Sequence, residues 1–235
     1  MKEMVHVRRY LRRRLKYLKH STDRERVVVK SLKKGRTITG AQLGPQVWCS
    51  TLKYTSKYQD GPAPFDLTEF VPASGVGPKP LRGGLWTSSF VPEGKFCSDW
   101  HRWTSEEKYM TFKLKDCWMV TADANARIYE ISSLKDLLWL VKNYSVPEPR
   151  FYSGKDVLDE YDLDWEKVAK DFDAVHLTRA GRINTQDTKP GFHRWDVESV
   201  VWLNDKHITA RQFTENEADS SCRVRLIDPT FPTFK

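Results

Sequence analysis

Lys79-Pro-Leu-Arg-Gly-Gly-Leu-Trp-Thr-Ser-Ser-Phe90 is the stretch on which the fold turns. Proline and paired glycines give way to a short apolar and hydroxyl run, which predicts a turn followed by a buried strand over Leu85–Phe90. Gly83 and Gly84 let backbone approach another group closely. Trp86 can stack on a flat ring, and Thr87, Ser88 and Ser89 carry donors and acceptors. The alternative is a strand whose hydroxyls satisfy neighbouring backbone and whose Trp86 is core.

A second stretch, Arg194-Trp-Asp-Val-Glu-Ser-Val-Val-Trp-Leu203, places a carboxylate inside an otherwise apolar segment. In extended backbone Asp196, Glu198, Val200 and Trp202 share one face, and Val197, Ser199, Val201 and Leu203 share the other. Apolar residues on both faces predict a strand covered on both sides. A carboxylate at such a position is ion-paired, for which Arg194 is the nearest cation, or is kept there for a task.

Working outward, Gln46–Tyr54 reads as a strand, followed by a long loop holding Pro62, Pro64, Pro72, Pro78 and Pro80. Loops of that length in a compact domain are usually functional or mobile. Strands are expected over Lys113–Val120, Ala126–Ile131, Asp173–Thr178, Trp195–Leu203 and near Cys222–Ile227. Ser132 and Ser133 precede a helix over Leu134–Asn143, and Asp164 caps a second helix ending near Phe172. Gly181–Gly191 reads as a polar loop. Strands outnumber short helices, so the expected class is α+β with a mainly antiparallel sheet.

The net charge of +8 is unevenly placed. Residues 1–40 carry fourteen Lys and Arg against three acids, leaving twenty-five against twenty-eight in residues 41–235. The expected organisation is therefore a basic helix or linker over 1–40 and a nearly neutral domain over 41–235. Val7, Leu11, Leu15 and Leu18 fall at helical spacing among Arg8, Arg9, Arg12, Arg13, Arg14 and Lys16. These cations suit docking on nucleic acid, an acidic partner or anionic lipid, or else form a solubilising tail. Cys49, Cys97, Cys117 and Cys222 lack C-x-x-C spacing, and no apolar run is long enough for a signal core or a bilayer span. Reduced thiols and a cytoplasmic location are the expectation.

The Leu85-Trp-Thr-Ser-Ser89 strand, followed by an acid-bearing strand at Glu198, resembles the layout of the ADP-ribosyltransferase fold family over roughly residues 45–203. The resemblance implies a split, mainly antiparallel sheet gripping NAD as co-substrate. It implies that Thr87, Ser88 and Ser89 form the hydroxyl motif and that Glu198 is the catalytic acid. Glu198 would steady the positive charge that develops on ribose as the bond to nicotinamide breaks. Trp86 or Tyr129 would stack on nicotinamide, and Asp196 would orient the acceptor. The family's first strand usually supplies an Arg or His, whereas Gln46, Ser50 and Tyr54 are the polar residues here. Lys79 and Arg82 stand in as cationic contacts. Asp196-x-Glu198 replaces the Gln/Glu-x-Glu element of members that modify Arg or DNA, so the acceptor stays open between nucleic acid and protein. On this resemblance, replacing Glu198 by Ala or Gln abolishes transfer while the fold survives.

The competing function class is a non-enzymatic binding protein that uses the basic segment alone. His101, His176, His193 and His207 lack metal-site spacing, and no metal is expected. His176, within a predicted strand, reads as a satisfied core histidine. Asp99, His101 and Ser105 are too local to indicate a triad. Trp100 and Trp103 read as a core anchor. No phosphate-binding glycine loop is present.

Overall fold

The computed structural model describes residues 35–49, 65–92, 96–106, 117–146, 161–186, 188, 191 and 195–213. The basic segment with Arg8, Arg9, Arg12, Arg13, Arg14 and Lys16, the stretch 50–64 and the expected strand near Cys222–Ile227 lie outside them.

In chain order the elements are β1 (Arg36–Thr39), α1 (Gly40–Leu43), β2 (Gln46–Cys49), β3 (Val76–Gly77), β4 (Leu85–Ser89) and α2 (Asp99–Glu106). They continue with β5 (Cys117–Ala122), β6 (Arg127–Ile131), α3 (Leu134–Tyr144), β7 (Leu163–Asp164) and α4 (Trp165–Asp171). The last are β8 (Ala174–Leu177), α5 (Arg179–Thr185), β9 (Ser199–Trp202) and β10 (Ile208–Gln212). Eight strands form one sheet in the order β1-β6-β8-β9-β4-β2-β5-β10, and β3 pairs with β7 beside it. Every pairing is antiparallel except β6 with β8. A parallel pair needs a crossover, which the segment holding α3 and α4 supplies. The class is α+β with a mainly antiparallel sheet, its two halves joined at β4.

Strand alternation sorts the core into two clusters. Ile128, Ala174, Val200 and Trp202 point to one face, with Ile38 and Val120. Tyr129, Ile131, Val175, Leu177 and Val201 point to the other, under Leu137, Leu140 and Val141 of α3 and Trp165 and Val168 of α4. All four residues of β9 are buried, so the strand is covered on both faces. A smaller cluster of Val47, Met119 and Phe213 lies under the β2–β5 half.

Several sequence expectations need correction. The division at residue 40 falls too late, because Arg36–Thr39 pairs with Arg127–Glu130 as an edge strand. The expected loop at 181–191 begins as α5: Thr178 caps it by accepting from the Gly181 amide. Gly181 is required there rather than disruptive, since a Cβ would collide with the Ile131 carbonyl. The expected strand over Trp195–Leu203 shortens to Ser199–Trp202, and β10 and α2 were not anticipated. Cys117 is disulfide-bonded, whereas Cys97 is a buried thiol with its Sγ 3.2 Å from His101 Nδ1, so the expectation of reduced cysteines fails at Cys117. The Asp164 cap does form, accepting from the Lys167 amide.

Candidate functional site

The C-terminal ends of β4, β6 and β8 meet the start of β9 along one margin of the sheet, and the polar residues gather there. Antiparallel pairing sets Thr87 opposite Val200 and His176 opposite Val200 on the other side. Continuing both registers brings Ser89 and Thr178 level with Glu198. Parallel pairing sets Glu130 beside His176. One carboxylate, one imidazole and a second carboxylate thus follow from strand register alone.

Glu198 accepts four hydrogen bonds. Its Oε2 receives the Ser88 hydroxyl at 2.7 Å and the Ser89 amide at 3.0 Å. Its Oε1 receives the Ser89 hydroxyl at 2.9 Å and His176 Nε2 at 2.9 Å. Glu198 is only 6 % exposed and Ser88 1 %, whereas Ser89 is half-buried. Gln46, itself buried, donates to the Ser89 hydroxyl at 3.2 Å. Burial resists ionisation of Glu198, yet the bond and charge of His176, with the donors of Ser88 and Ser89, hold its pKa below the ordinary carboxylate value.

Behind His176 the charges continue to alternate. Its Nδ1 lies 3.7 Å from Glu130 Oε2, and Arg36 reaches Glu130 Oε1 at 3.1 Å. The Ser132 hydroxyl donates to the same oxygen at 3.3 Å. The nearby His176 ring, helped by Arg36 and Ser132, holds Glu130 below its usual range, against the opposing effect of burial. Burial pulls the other way on His176 as well, but the two glutamates outweigh it and raise its pKa.

Arg179, at the start of α5, donates two bonds of 2.7 Å to Asp99 at the start of α2. Asp99 also pairs with Arg102 at 3.3 Å. This paired fork ties α2 to the end of β8, and the charge of Glu198 acts on the same guanidinium.

The sequence candidates therefore separate. Ser88, Ser89 and Glu198 come together. Lys79, Trp86 and Asp196 form a second group, with the Lys79 ammonium 5.5 Å from the Trp86 ring centre and 4.0 Å from Asp196. Trp86 also meets Trp195 edge-on at 4.7 Å. Thr87 points into the core: its hydroxyl accepts from the Trp202 indole at 3.0 Å, so it is not free to meet a ligand. Tyr129 is fully buried on the face opposite Glu130, donates to the Asp136 carbonyl and stacks on Trp139. It cannot stack on a bound ring. The Arg82 side chain is exposed, and its backbone pairs with Ser74. Gly83 and Gly84 serve their own chain rather than a ligand: both have positive φ, and a Cβ on Gly83 would strike the Val71 and Pro72 carbonyls.

His176, Glu130 and Arg36 are the residues that sequence reasoning missed. The available signal was a polar residue at the third position of each of two short apolar runs, Ile128-Tyr-Glu130 and Ala174-Val-His176. Among the described residues no group of His, Cys, Asp and Glu is arranged to hold a metal ion, and no helix is long and apolar enough to cross a membrane. No protein-family model matches the chain, and no curated protein or solved structure matches it either. What the arrangement offers chemically is an ionised, oriented carboxylate at a strand end, next to a half-exposed hydroxyl.

Proposed function

We propose that the protein is an NAD-consuming ADP-ribosyltransferase in which Glu198 is the catalytic carboxylate. The observation that carries this is the double anchoring of Glu198 by Ser88, Ser89 and His176. It is the pattern required of a fixed negative charge aimed at a developing cation. Breaking the bond between nicotinamide and ribose C1′ sends its electron pair to the pyridine nitrogen and leaves positive charge on the ribose. A preorganised carboxylate stabilises that charge without reorganising, an effect worth about 10²–10³ in rate for a single well-placed group. The acceptor nucleophile then attacks C1′ and gives up its proton.

All four positions on Glu198 are filled by the chain itself, so a ribose hydroxyl has to replace one donor. The Ser89 hydroxyl is the one to yield, because Ser89 alone is half-exposed and Gln46 offers its oxygen a second partner. Ser88, the Ser89 amide and His176 stay to hold the carboxylate. Trp86, with Lys79 over its ring and Lys79 paired to Asp196, packs with Trp195 against the core face that holds Tyr129, so these three are not assigned to the Glu198 pocket. The cations at Arg8, Arg9, Arg12, Arg13, Arg14 and Lys16 favour a polyanionic or acidic macromolecular acceptor.

The test is transfer of labelled ADP-ribose from NAD to nucleic acid and protein acceptors. Wild type transfers label, Glu198→Gln does not, and Ser88→Ala loses more activity than Ser89→Ala. Undiminished transfer by Glu198→Gln would end the proposal.

A further inference from the structure

His176 lies between two carboxylates. A neutral imidazole has one N–H and one bare lone pair. If Nε2 carries the proton and donates to Glu198 at 2.9 Å, the bare Nδ1 faces Glu130 Oε2 at 3.7 Å, acceptor toward acceptor. If Nδ1 carries it, the bare nitrogen faces Glu198 at still shorter range. The first tautomer satisfies Glu198 but leaves a bare, buried and unpartnered Nδ1 turned toward a carboxylate; the second sets a bare nitrogen against Glu198 itself. A ring protonated on both nitrogens removes the conflict and places a positive charge between two negative ones.

We propose that His176 is held as an imidazolium and acts as a positioning residue, fixing Glu198 in its ionised and aimed state, with Glu130 as its counter-charge. The role in transfer rests on the function proposed above; the charge state does not. The charges around the ring support it from each element that brings one. Glu130 comes from β6 and Glu198 from the start of β9. Arg36 of β1 reaches Glu130, not the ring. Arg179 of α5 is committed to Asp99 of α2. Arg36, Glu130, His176 and Glu198 together sum to zero only when the ring is charged. With a neutral ring, Glu130 would keep only the largely exposed Arg36, and Glu198 only the charge of Arg179, whose guanidinium is bonded to Asp99, a costly arrangement for two buried carboxylates.

The ring nitrogens report the charge directly. Nitrogen NMR of ¹⁵N-histidine-labelled protein should show both His176 nitrogens protonated at neutral pH, titrating later than an exposed histidine. Glu130→Gln should lower that midpoint by about one pH unit, on the order of tenfold in the protonation equilibrium. A single neutral tautomer at neutral pH, or an unmoved midpoint in Glu130→Gln, overturns the inference. In labelled transfer from NAD, His176→Gln keeps a donor to Glu198 without the charge, so the acid limb of its pH profile should move to higher pH. An unmoved limb in a folded His176→Gln overturns the positioning role. Should His176→Gln not fold, Glu130→Gln decides in its place: its ring loses the proton at lower pH, so the alkaline limb of its profile should move to lower pH, and an unmoved limb overturns the positioning role. A charged His176 in a wild-type protein that leaves NAD intact refutes the transferase function and leaves the charge assignment standing.

Discussion

Replacing Glu198 by alanine removes the common acceptor of four donors in one step. The Ser88 and Ser89 hydroxyls can rotate to other partners, but the Ser89 amide and the His176 ring cannot. Deleting one member of a buried ion pair costs about 3–5 kcal/mol, because the other charge stays behind. A buried N–H left unsatisfied costs about 1–3 kcal/mol, less where water fills the vacated space. The two overlap, so about 3–5 kcal/mol is the expected loss for Glu198→Ala. Glutamine keeps an acceptor oxygen and the side-chain volume, and His176 keeps Glu130, so Glu198→Gln should lose about 1–3 kcal/mol. For a domain of this size each kcal/mol lowers Tm by about 2–4 °C, which puts the alanine variant roughly 6–20 °C below wild type. Urea unfolding with matched m-values measures the difference. A loss under about 1 kcal/mol for alanine, or equal losses for both variants, would refute the claim that this carboxylate is the hub of a buried network. The result bears on function as well. With total stability of about 5–15 kcal/mol, alanine consumes much of the margin, so glutamine is the cleaner variant for activity.

The network also fixes how stability follows pH. His176 has its pKa raised above 6.5, so its contribution is complete below that value and is lost as pH rises through the folded value. Glu130 and Glu198 have theirs lowered from 4.5, so their contributions are present above it and fade as pH falls through the folded values. Urea titrations should find maximal stability between about 4.5 and 6.5 from these three groups, with His176→Gln flattening the alkaline side. Thr87→Val orphans the buried Trp202 indole N–H and should cost about 1–3 kcal/mol, while transfer per folded molecule stays near wild type. A large loss of turnover in folded Thr87→Val would return Thr87 to the site. Removing residues 1–40 deletes β1 and the Arg36–Glu130 pair and should lower Tm clearly below that of a chain cut at residue 34. Equal Tm values for the two truncations would contradict an integral β1.

The acid–hydroxyl pairing was legible in the sequence because both partners sit in short runs whose strand character is local. Glu198 stood out as a charge among apolar residues, and Ser88 and Ser89 as paired hydroxyls after a glycine turn. The Asp164 cap and the α3 face were equally local signals. What remained hidden depends on strand order. Nothing in Ala174-Val-His-Leu177 says that β6 lies on one side and β9 on the other, and that placement turns an unremarkable strand histidine into the link between two glutamates. Tyr129 misled for the same reason: its neighbour Glu130 faces the site, so period-two alternation sends the phenol to the opposite face. β1 was masked by the basic residues before it, although Ile38 alone of its four residues is buried. Thr87 shows the limit of counting hydroxyls, since its partner is an indole 115 residues away.

Nicotinamide release from NAD, with wild type and Glu198→Gln compared at equal folded fraction and at the pH of greatest stability, tests the central claim most directly. Steady release by wild type, reduced by about 10² or more in the glutamine variant, is the predicted result. Release that is absent from wild type in the presence of nucleic acid and protein acceptors, or that is the same in both proteins, contradicts it.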